Sequence, residues 1–146
     1  MSLPPSPLAL ERRVAFSQTD AAGIMHFSTY FFFMEVAEAD LFRQLGHPLL
    51  WHTGNTSLGF PRVDCQCRFR LPVAFDEVVR TELSIESILS GRLAYRFTFS
   101  NSDGRRCATG SMTTACASRN PDGSLSGTPL PEDLLDSLNA WKNQSA

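Results

Sequence analysis

The sequence predicts an α+β domain in which a five-stranded antiparallel sheet wraps around one long central helix, with a short helix at the C-terminus. Three observations carry this reading. Tyr30, Met34, Ala37, Leu41 and Leu45 recur at spacings of three and four, the period of one helical face. Further along, successive stretches alternate apolar and polar residues with period two, the mark of half-buried strands. The connections between those stretches are too short for parallel crossovers, which need about a dozen residues or more.

Each element follows in order. Residues 1–9 carry three prolines and read as a mobile Pro-rich arm, with residues 10–146 forming a single domain. Leu10 to Phe16 alternate loosely and give the first strand. Ser17-Gln-Thr-Asp-Ala-Ala-Gly23 is a polar loop, and the helix runs from about Ser28 to Leu45. Phe31, Phe32, Phe33 and Val36 broaden its apolar face, so the helix is expected to be buried nearly all round. Gly46 caps it and Pro48 blocks its continuation.

The strand from Arg62 to Leu71 alternates strictly. Val63, Cys65, Cys67, Phe69 and Leu71 share one face, and Arg62, Asp64, Gln66, Arg68 and Arg70 the other. Val79 to Glu86 and Leu93 to Phe99 repeat the pattern on either side of a Ser90-Gly91 turn. Asn101-Ser-Asp-Gly104 signals a hairpin into a last strand from Arg106 to about Ser118. Pro131 to Trp141 has Pro and acids in its first turn and an apolar stripe of Leu134, Leu138 and Trp141, so it reads as the terminal helix. The helix of about 27 Å and strands of about 33 Å match in length.

Composition narrows the function. The 13 Lys+Arg against 15 Asp+Glu leave a formal charge of -2, which argues against a nucleic-acid binder. No polybasic run, signal-like start or membrane-length apolar stretch is visible, so cytoplasmic residence with no membrane partner is the expectation. Cys65, Cys67, Cys107 and Cys116 lack zinc-ligand spacing and read as structural thiols, with no metal or cofactor expected. Of the 11 phenylalanines, four fall between Phe27 and Phe33.

Few residues are placed to do chemistry. Asp20 lies in the loop before the helix, close to Gly23. A helix start offers unpaired backbone N–H groups and partial positive charge. A carboxylate beside such donors has the makings of an acyl-transfer site. The alternative for Asp20 is a simple turn former. His26 reads equally as a base or as a loop histidine bonded to backbone. Glu35 and Glu38 sit on the apolar helix, and Glu35 is the stronger candidate for a direct role. No G-x-S-x-G, P-loop or G-x-G-x-x-G is present.

The stretch Val14-Ala-Phe-Ser-Gln-Thr-Asp20-Ala-Ala-Gly23-Ile-Met-His-Phe-Ser-Thr-Tyr30-Phe-Phe-Phe-Met-Glu35 resembles the signature of the 4-hydroxybenzoyl-CoA thioesterase group of hotdog-fold proteins. Leu71-Pro-Val-Ala-Phe-Asp76 and Asn101-Ser-Asp-Gly104 fit the same pattern. The resemblance implies a hotdog fold, a homodimer or homotetramer with its active site at the subunit interface, and hydrolysis of an acyl-CoA. Asp20 then matches the catalytic carboxylate, as nucleophile or general base, and the Phe27 backbone N–H matches the oxyanion donor.

In that frame Gly23, His26, Tyr30, Phe31 and Glu35 shape the substrate pocket, the aromatic cluster leans toward an aryl acyl group, and Arg92, Arg62 and Arg70 are the arginines to meet CoA phosphates. Relatives often carry His or Tyr where this chain has Phe27, a change that leaves a backbone N–H role intact. Two other functions compete: a hotdog hydratase or dehydratase acting on thioesters, and a non-catalytic acyl-CoA binding protein.

Overall fold

The computed structural model describes residues 2–54 and 56–144. In chain order they form β1 (Leu8–Arg13), a 3-10 turn at Phe16–Gln18, α1 (Phe27–Gln44), β2 (Trp51–Thr53), β3 (Thr56–Gly59), β4 (Arg62–Phe69), β5 (Val78–Leu89), β6 (Arg92–Ser100), β7 (Arg106–Ala115), β8 (Ala117–Arg119), β9 (Leu125–Gly127) and α2 (Glu132–Asn143). The main sheet is antiparallel in the order β1-β5-β6-β7-β4, which leaves β1 and β4 at its edges. All five expected strands are in it. A second, four-stranded sheet of β2-β3-β8-β9 was not legible in the sequence, because strands of three or four residues are too short to show a period of two.

Local chemistry fixes both ends of α1. The His26 side chain accepts from the Ser28 N–H, capping the start. At the far end Gly46 adopts φ +82°, and its N–H donates to Arg43 O while that of His47 donates to Phe42 O. This is a Schellman termination, which needs a residue without a Cβ penalty in the left-handed region. Tyr30, Phe33, Met34, Ala37 and Leu41 turn toward the sheet and are buried, meeting Leu83, Tyr95, Phe97 and Phe99 in one core. Full burial of each large side chain is worth about 1.5–3 kcal/mol. Gly110 lets α1 come close, since a Cβ there would stand 2.2 Å from the Met34 methyl carbon.

Two expectations about this layer are corrected. The helix is not buried nearly all round: Phe27, Phe32 and Glu35 are exposed, because the sheet curls over one side of α1 only. Nor does β4 bury its apolar face. As an edge strand it lies beyond most of the helix, and Val63 and Phe69 stay 47% and 52% exposed.

The Pro-rich arm is also packed rather than free. Trp141 Nε1 donates to Pro5 O at 3.1 Å and Gln144 Nε2 to Pro4 O at 2.5 Å, while Leu8 already pairs with Leu83 in the sheet. Leu134, Leu138 and Trp141 of α2 are fully buried against the body, as their spacing requires.

Candidate active site

Backbone hydrogen bonds close the loop before α1 into a rigid turn. Thr19 and Met25 bridge, Asp20 N–H donates to Ile24 O at 2.9 Å, and Gly23 N–H returns to Asp20 O at 3.0 Å. Gly23 sits at φ +78°, a conformation that favours glycine. The segment after β4 clamps this turn from outside: Met25 N–H donates to Val73 O at 2.7 Å and Phe75 N–H to Gly23 O at 3.2 Å. Within the turn, Asp20 Oδ1 accepts the Ala22 N–H at 2.8 Å. That contact holds the carboxylate orientation.

Asp20 lines a pocket of about 320 Å³ at the start of α1. Its walls are Ile24, Met25, Phe27 and Tyr30 from the turn and helix, with Phe69, Arg70, Leu71 and Pro72 from the end of β4. The lining is largely apolar and rich in aromatic rings. Tyr30 packs edge-on to Phe69 at 5.0 Å and to Phe99 at 5.2 Å between ring centroids. Burial pushes its hydroxyl up to about 12, so it remains a neutral hydrogen-bonding group on the pocket wall.

The start of α1 supplies donors at the same place. His26 Nδ1 takes the Ser28 N–H, and His26 O takes the Thr29 N–H at 2.9 Å. The Phe27 N–H, first in the helix, has no intrahelical carbonyl to meet. Asp20 and Phe27, the residue that opens α1, thus line one apolar pocket, and a carboxylate beside a helix start is suited to holding a carbonyl whose oxygen gains negative charge.

The remaining expected residues divide. Gly23 shapes the turn without lining the pocket. His26 is the helix cap, stacked on the Phe27 ring at 4.4 Å, and does not line the pocket either. Phe31 packs against the core and Glu35 faces solvent, so neither wall includes them. Arg70 is on the rim. Arg62 and Arg92 do not join it: Arg62 opens β4 at the end away from Phe69, about 23 Å along the strand, and is bound to Glu38 at 2.6 Å. Arg92 starts β6, at the end opposite the Phe99 that touches Tyr30.

Of the two helix glutamates, Glu38 rather than Glu35 is the buried one. Pattern reading also missed the walls Ile24, Met25, Leu71 and Pro72; the Leu71-Pro-Val73 break after a long strand was the available signal. The cysteines are free thiols, with burial raising Cys67 and Cys116 to about 11, which makes them unreactive. Among the described residues no helix is long and apolar enough to cross a membrane, and no cluster of His, Cys, Asp and Glu is arranged to hold a metal ion.

The 1,4-dihydroxy-2-naphthoyl-CoA hydrolase of Thermosynechococcus vestitus is 30% identical over 113 residues, covering 77% of each chain. Among solved structures, 4-hydroxybenzoyl CoA thioesterase from Pseudomonas sp. strain CBS-3 superposes with a TM-score of 0.77 at 19% identity, covering 89% of this chain and 97% of that one. A 1,4-dihydroxy-2-naphthoyl-CoA thioesterase from Synechocystis gives 0.77 at 17% identity, covering 90% and 94%. These last two likenesses establish the hotdog fold. Residues 14–138 match the Thioesterase-like superfamily, so the chain belongs to that superfamily and is a thioester hydrolase.

Proposed function

We propose that this chain hydrolyses an aromatic acyl-CoA thioester to the free acid and CoA, with Asp20 as nucleophile or general base. The observation that carries the reading is the pocket that Asp20 shares with Phe27, the first residue of α1, walled by Tyr30 and Phe69. As base, the carboxylate takes a proton from water, and the resulting hydroxide adds to the thioester carbonyl. As nucleophile, it adds directly, expels the CoA thiolate and leaves an anhydride that water then opens. In both routes the carbonyl oxygen becomes an oxyanion, and the Phe27 N–H donates to it. Collapse of that intermediate expels the thiolate, which takes up a proton. The flat aromatic wall suits an aryl group by edge-on or offset contact.

We take the working unit to be a homo-oligomer joined through β4. Its outer edge carries unpaired backbone groups and the half-exposed Val63 and Phe69, a combination that invites a second strand. The free thiols fit a reducing, cytoplasmic setting.

The test is thiol release over a panel of aryl, short, medium and long acyl-CoAs, repeated with Asp20→Asn. Loss of several orders of magnitude in kcat at unchanged melting temperature supports the assignment. Near-normal turnover by the variant overturns it. Hydration of an enoyl thioester without thiol release would instead favour a hydratase.

A further inference from the structure

The chain that leaves α1 enters the small sheet β2-β3-β8-β9, where strand register lines up a row of polar side chains. His52 pairs with Ser57 across β2 and β3. Leu58 pairs with Ser118 across β3 and β8, which sets Ser57 level with Arg119, and Arg119 pairs with Leu125 of β9. Residues directly opposite on antiparallel strands share a face. His52, Ser57, Arg119 and Leu125 therefore form one row across the four strands, with neighbouring backbones about 4.8 Å apart. Two positions along, the same face carries Gly59 and Ala117, with Leu50 beside them: a Cβ on Gly59 would lie 3.6 Å from Leu50 Cδ2.

All seven residues line one trough of about 360 Å³, within the range of about 300–1,000 Å³ usual for small-molecule sites. It shares no lining residue with the Asp20 pocket. Gly59 and Ala117 leave the middle of the face open, and Leu50 and Leu125 stay 66% and 52% exposed. No Asp or Glu lies in its walls. Arg62, at the β4 end, already donates through its terminal nitrogens to Glu38 Oε1 and Phe60 O. Arg119 donates to the Gly123 carbonyl at 3.4 Å and meets no carboxylate among the described residues. A guanidinium without a counter-charge, in one row with a hydroxyl and an imidazole, suits a carboxylate. The apolar side chains beside the row require that the carboxylate sit on an apolar body, since an inorganic anion would leave Leu50 and Leu125 uncovered.

We infer that this trough is a second binding site, for an apolar monocarboxylate, separate from the Asp20 pocket. Arg119 and the Ser57 hydroxyl donate to the carboxylate oxygens, and His52 ends the row. The apolar body lies over Gly59 and Ala117, against Leu50 and Leu125. The proposed hydrolysis releases an acid of this class, but the walls of the trough select such an acid whatever the Asp20 pocket does.

The experiment is titration of the full isotope-labelled chain with 2-naphthoate, the uncharged 2-naphthamide and acetate, followed by backbone amide shifts in nuclear magnetic resonance. Saturable shifts with 2-naphthoate are expected at His52, Ser57, Gly59 and Arg119, with the amide and acetate at least about tenfold weaker, the size of a lost charged hydrogen bond. Arg119 is exposed, so Arg119→Gln keeps the fold, and it should weaken 2-naphthoate by about the same factor. Gly59→Val fills the trough and should abolish these shifts; its Cβ meets Leu50 at an ordinary contact distance, so the strand is retained. Shifts confined to Gly23 through Phe27, equal binding of 2-naphthamide or acetate, or unchanged affinity in Arg119→Gln overturns the proposal. The expected shifts without thiol release from any thioester would overturn the hydrolase reading and leave this site standing.

Discussion

Arg62 and Glu38 form an ion pair under the sheet: the guanidinium donates to Glu38 Oε1 at 2.6 Å, and the carboxylate is wholly shut off from solvent. The second oxygen, Oε2, meets no hydrogen-bond partner among the described residues. Burial raises the Glu38 pKa, and the Arg62 charge opposes that shift without cancelling it. Removing the cation leaves a buried carboxylate without its counter-charge. Arg62→Met is expected to cost about 3 kcal/mol or more near neutral pH, read as a fall in denaturation midpoint.

The same pair sets a pH dependence. A carboxyl with a raised folded pKa binds its proton more tightly in the native state than in the unfolded chain. Its contribution is therefore fully present at low pH and declines as pH climbs from the ordinary glutamate value through the raised one. Glu38→Gln removes that decline. Denaturation curves across the acid-to-neutral range should show wild-type stability falling relative to the variant as pH rises; a constant difference would refute this.

Phe27→Pro isolates the oxyanion donor. Proline is well accepted at the first helical position, and His26 already holds the extended conformation (φ -63°, ψ 142°) that a following proline demands. The substitution removes the N–H and spares the helix. We expect kcat to drop about 10²–10³-fold, with helix content by circular dichroism intact. Phe27→Ala keeps the N–H and should retain most of kcat.

His26 caps α1, and its variants should behave as cap variants. His26→Ala is expected to cost about 1 kcal/mol of stability, and His26→Asn to restore most of it. A catalytic base would give a different result, with both variants equally slow in thiol release.

Gly91 closes the β5–β6 hairpin against the strand leading to α2. Its φ is +81°, and a Cβ there would lie 2.5 Å from Thr128 O, a backbone atom that has no freedom to swing aside. Gly91→Ala should destabilise by about 1–3 kcal/mol, measured by thermal melting, with little effect on catalysis at the distant Asp20.

Much of this was legible in the chain because it is encoded locally. The three-four spacing of α1, the period two of β5 and β6, the Ser90-Gly91 turn and the stripe of α2 each depend on neighbours within a few residues. What failed depends on position in the whole. The alternation of Val63 to Phe69 predicts one buried face, yet β4 is an edge and α1 does not reach across it. Phe32 looks like core by composition, and only the reach of the sheet decides that it is exposed. Glu35 and Glu38 lie one turn apart on the helix, and only the tertiary setting makes Glu38 the buried one, paired with Arg62.

The sequence alone determined the architecture, the loop carboxylate Asp20 and the helix start that follows it, because turn chemistry and hydrophobic period act over short spans. The tertiary structure decided which residues surround that carboxylate. Backbone bonds from Val73 and Phe75 bring the end of β4 against the turn, adding Phe69, Arg70, Leu71 and Pro72 to the pocket. They also separate Arg70 from Arg62 and Arg92, which the fold carries to the opposite end of the sheet. Contacts between segments some fifty residues apart leave no periodic trace in either segment, and in this chain they select which arginines face the Asp20 pocket.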